Sequence, residues 1–195
     1  TDDYSQLKGA DVIVEAATED LPLKRRIFRQ IEELVASDAI LTSNSSHIEP
    51  ERIFAELQHK SRSLCTHYFF PAERNPAIEI IPGKDTDPDI HEFMMRFYET
   101  IGKIPIKVGS RYGYAVDPVF EGLLLACIQC VDGGLGDTKQ VDQVASKCLG
   151  LTVGPFTAHN LTGGNPISAH GLSEMNEILN KWFRVPERLK KMVET

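Results

Sequence analysis

Residues 10–108 alternate between short apolar runs and amphipathic stretches, and that rhythm leaves few architectures open. Ala10-Asp11-Val12-Ile13-Val14-Glu15-Ala16-Ala17 is a short apolar run suited to a strand buried on both faces. Asp20-Leu21-Pro22 then opens a helix with a capping side chain and an early proline, and Leu23, Ile27, Ile31 and Leu34 supply its apolar stripe. Ala39-Ile40-Leu41-Thr42-Ser43 reads as the next strand, Glu49 to Gln58 as a second amphipathic helix, and Ser63 to Phe69 as a third strand ending around His67. Strand, helix, strand, helix, strand is the pattern of a parallel sheet joined by right-handed crossovers.

After His67, Pro71, Asn75 and Pro76 punctuate a loop, and Ala77-Ile78-Glu79-Ile80-Ile81 reads as a further strand. A helix from Pro88 to about Ile101 and a short strand at Ile104-Pro105-Ile106-Lys107-Val108 follow. From Asp117 onward the pattern is helical, interrupted at Gly133-Gly134, Gly150, Gly154-Pro155, Gly163-Gly164 and Pro186, and the stretch from Trp182 to Val193 ends in mid-helix. The reading is therefore an α/β region over 1–109 and an all-α region over 110–195.

Charge and composition remove several classes of function. A net charge of -7, with lysine and arginine spread along the chain, argues against a nucleic-acid binder. No apolar run approaches the roughly 20 residues that span a bilayer, so no membrane partner is expected. Cys127-Ile128-Gln129-Cys130 is a Cys-x-x-Cys, but it lies inside a long apolar helix pattern, where cysteine acts as a small hydrophobe; no metal site is expected. Reduced thiols fit a bacterial cytoplasm or a mitochondrial matrix.

Chemistry concentrates in Ser43-Asn44-Ser45-Ser46, His67 and Glu79. An imidazole is the simplest base near neutral pH, and a carboxylate behind it fixes its tautomer and stabilises the imidazolium. If the strands carrying His67 and Glu79 lie side by side, the two side chains meet; spacing alone equally allows a satisfied polar pair at a strand end.

Several motifs in one order and register then resemble the L-3-hydroxyacyl-CoA dehydrogenases, over nearly the whole chain. They are Glu15-Ala16-Ala17-Thr18-Glu19 with Lys24, Ser43-Asn44-Ser45-Ser46-His47 for the family's Ser-Asn-Thr-Ser-Ser, and His67-Tyr68-Phe69-Phe70-Pro71 for its His-Phe-Phe-Asn-Pro. Glu79 and Gly154-Pro155-Phe156 complete the set. The resemblance implies a Rossmann-type sheet with a helical dimerisation domain, NAD as cofactor, and oxidation of an L-3-hydroxyacyl-CoA to the 3-ketoacyl-CoA. It assigns His67 as base, Glu79 as its partner, Ser46 to the substrate oxygen and also the cofactor crevice, Asn44 to that crevice at a strand's carboxyl end, and Glu19 and Lys24 to the nicotinamide and its ribose. Acidic residues favour helix starts in any case, so a solvated helix start is the plain alternative for Glu19 and Lys24. In relatives the helical domain forms a dimer contact; here Val119, Phe120, Leu123, Leu124, Ala126, Cys127 and Val131 run nearly all round one helix, as burial against a second copy or a fused domain requires.

Two departures stand out. Asp117 occupies the place of an asparagine that reaches the substrate oxygen, and an ionised aspartate accepts hydrogen bonds but donates none. Phe70 replaces the asparagine beside the base. The sequence also contains no Gly-x-Gly-x-x-Gly turn after a strand, and the resemblance implies that about 80 residues, two βαβ-type units with connections, precede Thr1. A relative acting on another hydroxy acid, as sugar-acid dehydrogenases of this fold do, and a non-catalytic acyl-CoA-binding or assembly module are the competing readings.

Overall fold

The computed structural model describes residues 3–164, 172–173, 175–176 and 179–181; the helix read from Trp182 to Val193 lies outside the described residues. Five strands pair in chain order, β1 (Val12–Glu15), β2 (Ile40–Ser43), β3 (Ser63–Tyr68), β4 (Ala77–Pro82) and β5 (Ile104–Lys107). β1 with β2, β2 with β3 and β4 with β5 are parallel, and β3 with β4 is antiparallel. The expected mostly parallel sheet is therefore present, with one antiparallel pair where a short loop, too brief for a crossover, joins neighbours.

The sheet is covered on both faces. Helix α1 (Leu21–Glu32) packs Phe28 and Ile31 with Ile13, Leu41, Cys65 and Ile81, while α3 (Pro88–Thr100) packs Met94 and Tyr98 with Leu64, Ile78 and Ile80 on the other side. Asp20 caps α1 by accepting from the Leu23 N–H, and Pro22 occupies the first turn, where its missing donor costs nothing. The buried stripe of α1 is rotated from the expected one: Lys24, Phe28 and Ile31 face inward, and Leu34 lies past the helix end and is exposed. The rotation follows from Lys24, which has a buried partner, and from Phe28, whose ring meets Phe54 edge-on at 4.7 Å.

One further expectation is corrected. The helix expected from Glu49 to Gln58 is a single turn, α2 (Pro50–Ile53); beyond it the Glu32 carboxylate accepts from the backbone N–H groups of Gln58 and His59. Among the described residues β1 lies at one end of the strand order, and its Val14 is exposed.

The chain divides into two compact units, Thr1–Ala115 and Val116–Thr195. Tyr114 belongs to the core of the first, and the Gly113 N–H donates to the His47 carbonyl, so the segment after β5 stays with the sheet. The second unit contains α4 (Val116–Asp132), α5 (Thr138–Leu149) and α6 (Pro155–Leu161). Asp137 and Gln140 form a capping box at the start of α5, and Gly150, at φ 71°, ends it in the left-handed region that suits glycine. The Asp142 carboxylate on α5 accepts from the Phe156 and Thr157 N–H groups, which fixes the first turn of α6. α4 is not buried all round: Pro118, Leu124 and Cys127 face inward, whereas Val119 is exposed. Among the described residues no helix is long and apolar enough to cross a membrane, and no cluster of histidine, cysteine and carboxylate suits a metal ion.

Candidate active site

The antiparallel register of β3 and β4 places His67 directly opposite Glu79. His67 Nδ1 lies 2.8 Å from Glu79 Oε2, and both residues are buried, 5% and 3% exposed. A carboxylate can only accept, so the proton of the bond sits on Nδ1 and leaves Nε2 with its lone pair. The other oxygen of Glu79 accepts from the Ala115 N–H at 3.2 Å, so both carboxylate oxygens are engaged. Phe69 meets the imidazole edge-on at 4.9 Å and Tyr114 lies 5.8 Å from it, which confines the ring's orientation.

Tyr114 is the one non-glycine residue at positive φ among the described residues, at 49°. Its buried hydroxyl donates to the Ile48 carbonyl at 2.7 Å, and burial pushes that phenol's pKa well above the usual value. The strained backbone is thus held by packing, by the hydroxyl's bond to the loop after β2 and by the Arg111 Nε that donates to the Tyr114 carbonyl at 2.6 Å.

A second cluster lies at the carboxyl ends of β1 and β2. Glu15, at the end of β1, is buried; it accepts from Lys24 Nζ at 2.9 and 3.1 Å, from Ser43 Oγ at 2.6 Å and from the Ala17 N–H at 2.6 Å. Lys24 is 1% exposed, also donates to the Ala17 carbonyl, and lies 3.4 Å from Glu19 Oε2. The solvated-helix-start alternative therefore fails for Lys24, whose ammonium is buried among carboxylates.

Glu19 collects the loop that follows β2. Its Oε1 accepts from Ser45 Oγ and from the backbone N–H groups of Ser46 and His47 at 3.1 and 3.2 Å, and His47 Nδ1 stands 3.7 Å away. Burial opposes ionisation of Glu19, but the His47 and Ser45 hydrogen bonds and the Lys24 charge prevail and hold its pKa at about 2. Asn44 continues the ladder between β2 and β3: its Oδ1 accepts from the Tyr68 N–H at 2.9 Å. Ser46 is half-buried at the same strand end, and Phe70 is exposed, at 65%, in the loop between β3 and β4. Asp117 sits in the first turn of α4, in the second unit.

The structure thus brings His67 and Glu79 together at one strand end, and Glu19, Lys24, Asn44 and Ser46 at another. Sequence reasoning missed three residues. In the sequence Glu15 stands out only as part of a motif, although a carboxylate in an apolar strand is the usual sign of a paired buried charge. Tyr114 gave no signal beyond an aromatic after glycine, and the position of His47 beside Glu19 depends on how two loops fold back.

A mostly parallel α/β sheet with a buried imidazole–carboxylate pair and a cluster of charged and hydroxyl side chains at its strand ends defines a Rossmann-type unit equipped for base chemistry. Residues 1–111 match the family profile described as 3-hydroxyacyl-CoA dehydrogenase, NAD binding domain. The chain belongs to that family. It is 32% identical over 161 residues to a peroxisomal fatty acid beta-oxidation multifunctional protein of Arabidopsis thaliana, an alignment covering 83% of this chain and 22% of that protein. Against the L-carnitine dehydrogenase of Oceanobacillus iheyensis it is 29% identical over 177 residues, 89% of this chain and 58% of the other. Among solved structures, M. tuberculosis FadB2 superposes with a TM-score of 0.82 at 27% identity, covering all of this chain and 69% of that one. The chain thus spans 22% of the plant relative's length and just over half of the L-carnitine dehydrogenase's.

Proposed function

We propose that the protein carrying this chain oxidises an L-3-hydroxyacyl-CoA to the 3-ketoacyl-CoA with NAD, His67 acting as the general base. The observation that carries this reading is the 2.8 Å bond between His67 Nδ1 and Glu79, which leaves Nε2 as the proton acceptor. In this reading Nε2 takes the substrate's hydroxyl proton, Glu79 stabilises the imidazolium that results, and Ser46 donates to the substrate oxygen. Asp117 lies on the side of the helical region, which supplies the substrate and dimer surfaces over 110–195, and the NAD-binding part spans 1–109. NAD, when bound, supplies the hydride acceptor.

The residues present fit the sugar and amide end of such a cofactor. Glu19 is a half-open carboxylate at the carboxyl end of parallel strands, with Ser45, Ser46 and Asn44 around it; this donor and acceptor set suits ribose hydroxyls, and Lys24 holds Glu19 from behind. The pyrophosphate is assigned to no residue here.

The test is His67→Ala in the full protein, assayed with NAD and a 3-hydroxyacyl-CoA. General-base catalysis contributes about 10²–10⁴-fold, so turnover falls by that order; unchanged turnover overturns the reading. Retained acyl-CoA binding with no turnover in the unmodified protein would favour the binding or assembly module instead. One observation favours a second substrate class, the match to an L-carnitine dehydrogenase over more than half its length, and turnover of a free hydroxy acid against the thioester separates the two. Peroxisomal in the plant relatives by name, the activity belongs in this proposal to a peroxisome or a bacterial cytoplasm. The exposed Val119, Val144 and Leu149 of the helical unit support a homodimer as the partner state.

A further inference from the structure

His47 occupies the last place of the motif after β2, where the family pattern has serine, and its ring is held rather than loose. The imidazole packs against Tyr112, ring centroids 5.6 Å apart, and its Nδ1 lies 3.7 Å from the Glu19 oxygen that the His47 backbone N–H also reaches. We propose that His47 is a positioning residue that sets, through Glu19, the preference of this crevice for oxidised over reduced nicotinamide dinucleotide, and that protonating its ring weakens that preference. The proposal rests on the cofactor reading above.

Tyr112, from the segment after β5, packs against His47, and Glu19 of the loop after β1 stands beside it; behind Glu19 lie the Lys24 ammonium of α1 and the Glu15 carboxylate of β1. The Arg111 guanidinium donates through Nε to the Tyr114 carbonyl, and on the loop carrying His47, Glu49 pairs with Arg52 at 3.3 Å. Glu15 and Glu19 with Lys24 carry one net negative charge and Arg111 carries one positive charge, so protonating His47 adds a positive charge to a group that is otherwise balanced.

Oxidised and reduced nicotinamide rings differ by one positive charge, because hydride uptake turns the cationic pyridinium into a neutral dihydropyridine. A positive charge added at His47 therefore disfavours the oxidised ring relative to the reduced one. For one unit charge added in partly hydrated surroundings, a change in relative affinity of about three- to tenfold is expected.

The experiment is to measure dissociation constants of NAD⁺ and NADH, by NADH fluorescence and NAD⁺ competition, for the full protein across roughly pH 5–8, the range in which histidine titrates. The affinity ratio of NAD⁺ to NADH should fall about three- to tenfold on acidification. His47→Gln should hold it at the high-pH level throughout, and His47→Arg at the low-pH level. His67 is the other histidine of the site, and these variants separate its contribution. A pH-independent ratio in the unmodified protein, or an unchanged slope in His47→Gln, overturns the assignment of His47. Failure of both dinucleotides to bind at any pH overturns the cofactor reading itself, and this inference with it.

Discussion

His67 and Glu79 are opposite residues on antiparallel strands, so their 2.8 Å bond needs no adjustment of the backbone. Glu79→Gln keeps the size of the side chain but exchanges an acceptor for an amide. The imidazole tautomer is then no longer enforced and the imidazolium loses its counter-charge; turnover should drop on the order of 100-fold or more with fold and KM little changed. Circular dichroism and steady-state kinetics check both halves of that statement. Lys24 makes a different prediction. Removing one partner of a buried ion pair strands the other charge, so Lys24→Met should destabilise the fold by about 3–5 kcal/mol, read from urea unfolding.

The elements owe their positions to side chains that capture backbone groups. Glu32 holds the Gln58 and His59 N–H groups in the loop beyond α2, and Asp142 starts α6. The second case depends on Gly154, where an added Cβ would stand 2.4 Å from Asp142 Cγ and therefore inside it. Gly154→Ala should cost about 1–3 kcal/mol, and Asp142→Ala about 1 kcal/mol for the lost cap. The double variant should be less destabilised than the sum, because the alanine no longer meets the carboxylate; a double-mutant cycle by chemical denaturation measures that coupling. α4 carries apolar residues nearly all round; within this chain Leu124 is buried and Val119 is exposed.

Over the whole molecule, Glu19 ties acid stability to the geometry of the crevice. Its carboxyl is held at about 2, below the usual 4.5, so between those values the unfolded chain binds more protons than the folded one. The stability Glu19 contributes is complete above about pH 4.5 and is lost as pH falls toward 2. Glu19→Gln should flatten that part of the acid-unfolding curve, followed by circular dichroism at several urea concentrations. Association is the other property of the whole: with Val144 exposed on α5, Val144→Asp should lower any self-association seen by sedimentation velocity.

The order of strands and helices, the helix-opening Asp20 and the residues of the histidine–carboxylate pair were legible in the sequence, because each depends on local periodicity, capping or turn chemistry. Strand pairing, which turned two residues twelve positions apart into one bonded pair, was legible only as a condition. Three facts came from the folded chain alone: the buried Glu15–Lys24 pair, the left-handed Tyr114 beside the histidine, and the closing of His47 onto Glu19. Each joins segments separated along the chain through loops whose path no local pattern encodes, since burial and electrostatic pairing are settled when the sheet brings its strand ends together.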